Sequence, residues 1–285
     1  MNAIIMAAGT SSRFVPISVE RPKGLLEVKG EILIERQIRQ LQEAAVGDIT
    51  IVTGYKSAMF EYLRAKYGVE TVYNEDYNLY NNTSSVIRVI DRLNNTFICC
   101  SDHYFRNNVF LELANESYYA ARYAIGETGE YCLSFDDKDF ITKVSIGGRD
   151  AWYMAGHVFF TEQFSAKFRD IMTKEYAKES VRNGYWEDVY ISHIKELPMQ
   201  IRRYSDEDIF EFDTLDELRV FDESYVEDTR SKIVKKICSY LSCKDSELHT
   251  FQKIKHEGDH LLFSFFYKDD EYVYDDHNPL IINQR

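Results

Sequence analysis

Three groups of residues in this chain have types and spacings suited to work on a polyphosphate. The apolar run Ala3-Ile4-Ile5-Met6-Ala7-Ala8 breaks at Gly9 into the small hydroxyl residues Thr10, Ser11 and Ser12. Arg13 follows at once, and Lys23 stands further on, directly behind Pro22. A strand that delivers backbone amides and two cations in this way fits the phosphates of a nucleotide. The loop lacks the glycine–lysine–serine/threonine close of a Walker A loop, and it lacks the glycine spacing of a dinucleotide fold. The third group is a pair of aspartates: Asp102, just past the run Thr96–Cys100, and Asp213, closing Glu211-Phe212-Asp213. Cations around a leaving group and carboxylates for Mg²⁺ are what nucleotidyl transfer requires. In that reaction a phosphate or phosphonate oxygen attacks the α-phosphorus of a nucleoside triphosphate, and pyrophosphate leaves. Taken singly the residues say less. Arg13 and Lys23 also read as solvated cations, Asp102 as a turn residue, and Asp213 or Thr214 as an ordinary helix cap.

The elements that must position these groups follow from periodicity. Asn2 to Ala8 is apolar on both faces, the mark of a strand inside a parallel sheet. Ile32 to Ala45 carries apolar residues at helical spacing, and Ile49 to Thr53 is a second β-rich run closing at Gly54. Ala58–Tyr67 and Thr83–Leu93 read as helices, Glu70–Tyr73 and Thr96–Cys100 as strands. This rhythm predicts an α/β fold with a doubly wound, mixed but mostly parallel sheet. Ligands in such sheets bind beyond the carboxyl ends of the strands, where Gly9 and Asp102 both fall. Shorter β-like runs at 118–123, 131–135, 141–144 and 152–160 predict a small lid of antiparallel or mixed strands. Helices are expected at Gln163–Tyr176 and Tyr190–Leu197, and an edge strand at Glu211–Asp213. From residue 223 the pattern restarts: Ser231–Leu241 is amphipathic, and Leu261–Tyr267 with Glu271–Tyr274 reads as a hairpin. The expected division is a body over 1–222 and a small α+β extension over 223–285, which would be marginal alone and so docks on the body or on a partner, including a second copy.

Composition narrows the function. With 34 basic against 47 acidic residues the net charge is −13, which repels nucleic acid, and no basic patch with interleaved aromatics offsets it. No uncharged stretch approaches the length needed to span a bilayer, and no basic leader precedes the first apolar run, so a cytoplasmic protein without membrane insertion is expected. The five cysteines form no paired framework; Cys99 and Cys100, adjacent on one strand, point to opposite faces. His103 beside Asp102 is open to a phosphate-contacting, solvent-facing or structural role, and His157 and His193 read as structural. His249, His256, His260 and His277 are scattered without metal-site spacing.

The run from Ala3 to Leu26, with Met-Ala-Ala-Gly-Thr-Ser-Ser-Arg-Phe-Val-Pro at its centre and Arg-Pro-Lys-Gly-Leu at its close, resembles the signature of nucleoside-triphosphate transferases with a sugar-nucleotide pyrophosphorylase-like fold. Within that superfamily the chain is most similar to bacterial CTP:phosphocholine cytidylyltransferases. The similarity runs through Val52-Thr53-Gly54-Tyr55, Tyr73-Asn74-Glu75-Asp76-Tyr77, Tyr80-Asn81-Asn82 and Ser101-Asp102-His103-Tyr104. It returns at Tyr185-Trp186-Glu187 and Ile194-Lys195-Glu196-Leu197, and closes at Ile209-Phe210-Glu211-Phe212-Asp213, covering about residues 1–222. The resemblance implies that the backbone of Ala7, Ala8, Gly9, Thr10, Ser11 and Ser12 cradles the triphosphate of CTP, with Arg13 beside the β- and γ-phosphates. It puts Lys23 against the α-phosphate, Tyr80 and Asn81 near cytosine and ribose, and Asp102 and Asp213 on Mg²⁺. Two departures stand out: Thr10-Ser11-Ser12 replaces a stretch that often holds a second glycine, and Cys100 stands where the family often has an acidic residue.

For the acceptor, a phosphorylated or phosphonate aminoalcohol, the resemblance places Tyr131 and the Tyr185-Trp186-Glu187 segment in the choline-binding region. A quaternary ammonium favours aromatic faces, and Tyr131, Trp186 and Glu187 are the expected contacts, with Asp188 balancing charge. A primary amine, as in phosphoethanolamine or 2-aminoethylphosphonate, would instead take Glu187 and Asp188 as direct partners; both remain open. A sugar 1-phosphate fits the aromatic residues less well. A non-catalytic nucleotide-binding protein would explain Cys100, but not the retention of Arg13, Lys23, Asp102 and Asp213 together. The segments 233–245, 251–255, 262–267 and 271–274 faintly resemble the start of a choline/ethanolamine kinase-like domain. Lys255-His256-Glu257-Gly258 lacks that family's glycine pattern, so a remnant without kinase activity is expected.

Overall fold

A computed structural model of the chain describes residues 1–112, 114–255 and 261–277 and the backbone of 282–283. The chain packs as two compact units, Met1–Gly9 with Leu33–Phe210, and Thr10–Ile32 with Glu211–Arg285.

The first unit is built on a mixed, mostly parallel seven-stranded sheet with helices. Across the sheet the strands run Gln200–Arg203, Tyr118–Phe135, Ile141–Phe160, Thr96–Cys100, Asn2–Ala7, Asp48–Thr53 and Glu70–Tyr73. The first strand is parallel to both neighbours, with Ala7 opposite Thr53 and Met6 opposite Cys100. Its Ile4 and Ile5 are both buried, which is why the run is apolar on both faces. The chain builds outward from this strand through Asp48–Thr53 to Glu70–Tyr73, then returns to add Thr96–Cys100 on its other side. The order therefore reverses at the first strand, and the crevice beyond its carboxyl end is where such sheets bind ligands. Helix Leu33–Glu43 buries Leu33, Ile34, Ile38 and Leu41 as its spacing predicts. Among the described residues no helix is long and apolar enough to cross a membrane.

Several expectations are corrected. The four β-like runs of the expected lid are two continuous strands, Tyr118–Phe135 and Ile141–Phe160, which belong to the main sheet and pair antiparallel through several register shifts. Thr83–Leu93 is not one helix but a short helix, Thr83–Ile87, and a 3₁₀ turn, Ile90–Arg92. Ala58–Tyr67 likewise divides into the turn Ser57–Phe60 and helix Tyr62–Tyr67. The expected helix Tyr190–Leu197 lies earlier, at Trp186–Ser192, because Asp188 reaches back to accept a hydrogen bond from the Tyr185 amide and starts it there. The expected edge strand at Glu211–Asp213 is the short pairing of Ile209–Phe210 with Tyr104–Phe105.

In the second unit, residues 10–32 are tied to the later segment by backbone groups. Asp222 accepts the Lys29 amide at 2.7 Å, Tyr225 donates to the Glu27 carbonyl at 2.8 Å, and Glu20 accepts the amides of Lys232 and Ile233. Ser231 caps the amphipathic helix Lys232–Leu241. Strands Leu248–Lys253, Leu262–Tyr267, Asp270–Asp275 and Ile282–Asn283 form an antiparallel sheet over Phe251, Phe263 and Phe265.

Candidate active site

In the first unit, Gly9 ends the strand Asn2–Ala7 beside a cavity of about 150 Å³ lined by Ala8, Gly9, Asn74, Tyr77, Tyr80 and Asn81, among others. Two expected regions, the start of the glycine loop and Tyr80-Asn81, thus share one cavity. Its wall leaves no room for a side chain at Gly54. A Cβ there would lie 2.6 Å from the Tyr77 Cβ and 2.8 Å from the Ala8 carbonyl, whose oxygen accepts the Tyr55 amide. Asn74, fully buried after strand Glu70–Tyr73, donates to the hydroxyls of Ser84 and Ser85, and Ser84 donates to the Asn81 carbonyl at 2.7 Å. The network fixes the backbone that carries Tyr80 and Asn81. Asn74 was not singled out from the sequence, although an amide directly after a strand and before a turn was the available signal.

Past strand Thr96–Cys100, Asp102 lies between Cys100 and His103, and one potential ligand atom from each lies within 4.8 Å of the others. His103 is buried, which removes its solvent-facing reading. His157 is buried as well, within hydrogen-bond distance of Tyr118, and burial pushes its imidazole down to about 3. It is a neutral core residue. His193 pairs with Glu196 at 2.8 Å, and His249 stacks on Phe266. His256 and His260 lie outside the described residues.

The segment expected to meet the acceptor is held by helix Trp186–Ser192. Trp186 does not present its ring to solvent. It is 4% exposed, stacks on Tyr119 and meets Phe160 and Phe168 edge-on. Beside it, Glu187 receives hydrogen bonds from Asn82 at 3.3 Å and Tyr119 at 3.1 Å. Burial pushes its carboxyl up to about 7, against the opposing pull of those bonds. Asp188 accepts from Tyr131 at 3.0 Å as well as from the Tyr185 amide, so Tyr131, Glu187 and Asp188 form one neighbourhood. Tyr131 is itself raised to about 12, first by burial and then by Asp188. Asn82 and Tyr119 were missed in the sequence because their role depends on a helix more than sixty residues away from Tyr119.

In the second unit the structure brings Arg13, Lys23 and Asp213 together. Arg13 pairs with Asp213 at 2.8 Å; Lys23, with a side chain only 6% exposed, lies 3.6 Å from Asp213 and 3.8 Å from Glu211. Helix Leu215–Phe221 is capped by Thr214, whose hydroxyl accepts the Glu217 amide, and this leaves the Asp213 carboxylate to the cations. Burial raises the Asp213 carboxyl, Lys23 pulls it down, and Glu211 raises it again. Glu211 is the member that sequence reading did not single out. Thr10, Ser11 and Ser12 enter a 3₁₀ turn, Ser12–Phe14, anchored by the buried Phe14 ring.

These carboxylates are hard oxygen donors of the type Mg²⁺ takes, with the remaining positions left to phosphates and water. Cations beside them can neutralise charge on a polyphosphate.

Residues 3–140 match the family of MobA-like NTP transferase domains. The chain is 31% identical to a choline-phosphate cytidylyltransferase of Streptococcus pneumoniae, an alignment spanning 78% of this chain and 97% of that one. It is 35% identical to a 2-aminoethylphosphonate cytidylyltransferase of Lancefieldella rimae, over 79% of this chain and 93% of that one. A solved structure of the Streptococcus pneumoniae CTP:phosphocholine cytidylyltransferase superposes with a TM-score of 0.75 at 30% identity, covering 78% of this chain and 98% of that one. The chain belongs to the bacterial choline-phosphate cytidylyltransferase family of MobA-like NTP transferases.

Proposed function

We propose that this enzyme transfers CMP from CTP to phosphocholine, with Mg²⁺, giving CDP-choline and pyrophosphate. The observation that carries the acceptor class is Glu187. Glu187 is half-buried, desolvation pushes its carboxyl up to about 7, and the side chains that donate to it, Asn82 and Tyr119, are neutral. A cationic head group would supply the charge that repays this burial, which a sugar phosphate would not. Tyr131 and Asp188 stand beside it as further contacts. On the nucleotide side, Ala7 to Ser12 are proposed to hold the triphosphate, Tyr80 and Asn81 the nucleoside, and Arg13 the β- and γ-phosphates. Lys23 offsets charge developing at the α-phosphate, and Asp102 and Asp213 are each proposed as ligands of Mg²⁺.

A second reading keeps the chemistry and makes the acceptor a primary amine, 2-aminoethylphosphonate. It is favoured by the Trp186 ring lying in the core, which takes one wall from an aromatic cage and leaves carboxylates and a phenol to receive the ammonium. Pyrophosphate release with CTP and Mg²⁺ is to be measured against phosphocholine, phosphoethanolamine, 2-aminoethylphosphonate and glucose 1-phosphate. The expected result is the largest kcat/KM with phosphocholine. A preference for 2-aminoethylphosphonate would install the second reading, and a preference for glucose 1-phosphate would remove both.

The Glu187 reading also fixes a pH dependence. A cation binds the ionised carboxylate, so below about 7 each binding event must first release the Glu187 proton. The kcat/KM for the acceptor should therefore rise with pH by up to about tenfold per unit below that value and level off above it. Glu187→Gln should be slower and should lose this limb, leaving only the shallower dependence from ionisation of the acceptor's own phosphate. A wild-type profile already flat between pH 6 and 7 would mean that Glu187 does not face the head group.

A further inference from the structure

Cys100 closes strand Thr96–Cys100 two residues before Asp102. Cys100, Asp102 and His103 offer a sulfur, an oxygen and a nitrogen within 4.8 Å of one another, a donor set unlike the all-oxygen set that suits Mg²⁺. Their placement is supported from two sides. Gln37, fully buried in helix Leu33–Glu43, donates from one amide nitrogen to the carbonyls of both Cys100 and His103, at 2.8 and 2.9 Å, clamping the backbone on either side of Asp102. Gly156, at φ +69°, lies against the other side. A Cβ there would come within 2.7 Å of the His103 ring and 3.6 Å of the Cys100 sulfur, so the missing side chain is the space in which the two converge.

We infer that Cys100, Asp102 and His103 form a site for a borderline divalent cation such as Zn²⁺, and that this ion, by engaging Asp102, competes with Mg²⁺ and arrests CMP transfer. The competition rests on the proposed role of Asp102; the metal site itself does not. The Cys100 thiol donates to the Gly156 carbonyl at 3.6 Å. On metal binding its S–H bond breaks, the proton passes to solvent, and the thiolate pair forms the sulfur–metal bond without any change of oxidation state. Side-chain rotation by about an ångström brings the three atoms to the ~2.0–2.3 Å bond lengths of a tetrahedral site, with the fourth position open to water or a phosphate oxygen.

Cobalt(II) makes the site visible, because thiolate coordination adds a charge-transfer absorption that carboxylate and imidazole alone do not give. Titration of the full chain with Co²⁺ should show that band saturating at one ion per chain, and Cys100→Ser should abolish it. The Zn²⁺ concentration that halves the Mg²⁺-supported rate should rise by about tenfold or more in Cys100→Ser, each variant being compared with its own zinc-free rate. Circular dichroism establishes that the variant is folded. If it is not, His103→Asn serves in its place and should weaken Co²⁺ binding while retaining the sulfur band at higher metal concentration. No sulfur band at saturating Co²⁺, or a band unchanged in Cys100→Ser, overturns the site. A cysteine-dependent band in a protein that transfers no CMP upholds the site and removes the reading of function instead.

Discussion

Asp102→Asn should lower Mg²⁺-dependent CMP transfer by about a hundredfold or more, the loss of about 3 kcal/mol expected when one preorganised electrostatic contact to the reacting phosphates is removed. The substitution keeps the shape of the side chain and one of its oxygens, but takes away the negative charge on which its proposed role as a ligand for a hard cation depends. Strand Thr96–Cys100 and the Gln37 clamp on the Cys100 and His103 carbonyls hold the backbone on either side of residue 102. Thermal unfolding should be unchanged within a few degrees, and raising Mg²⁺ should recover part of the rate. A variant with undiminished turnover at ordinary Mg²⁺ would take Asp102 out of the mechanism. A variant that loses turnover only because it melts would leave the question to Asp102→Glu, which restores the charge on a longer arm.

What the chain discloses before folding is uneven, and the reasons are physical. Ile4 and Ile5 are legible as a two-sided buried strand because burial on both faces leaves no alternation, and Gly9 is legible as the end of that strand because apolar character stops there. The helix Leu33–Glu43 announces itself through its spacing. The pair Tyr118–Phe135 and Ile141–Phe160 does not. Gly126, Gly129, Gly147 and Gly148 read as breaks along the chain, whereas in the sheet the strands pass through them with shifted register. Trp186 shows the same limit at the site. An aromatic beside two acids reads as a head-group contact, and only Phe160 and Phe168, distant in sequence, make it a core residue. The motif pointed to the segment as a whole, but the surroundings of Glu187 depend on Asn82 and Tyr119, whose hydrogen bonds no local pattern encodes. Asp213 runs the other way. Its sequence allowed either a cap or a ligand, and the cap taken by Thr214 leaves the carboxylate to Arg13 and Lys23.

Lys23 offers the second large effect, and its surroundings decide how the effect will look. The ammonium is nearly buried between Glu211 and Asp213, while Arg13 is 74% exposed and correspondingly screened by water. Lys23→Met keeps much of the packing volume and removes only the charge that water cannot replace. The kcat should fall by about a hundred- to a thousandfold, with kcat/KM falling equally, because the proposed contact is one made where charge develops at the α-phosphate. Arg13→Ala, which removes the cation proposed for the outer phosphates from an exposed position, should instead raise the KM for CTP with the smaller change in kcat. The residual Lys23→Met activity carries its own signature. Lys23 now pulls the Asp213 carboxyl down against burial and Glu211; without it that carboxyl moves further above its ordinary value. An acid with a raised pKa is ionised only at higher pH, so the acidic limb of the rate profile should move upward in pH, and part of the loss should be recovered on the alkaline side. Lys23→Arg should not rescue the rate, since a planar guanidinium does not fit a slot shaped around a point charge. A lowered rate with an unmoved acidic limb would mean that Lys23 serves the phosphates without governing Asp213. An unchanged rate would take away both roles, and with them the claim that this buried ammonium is placed for the reaction rather than for the fold.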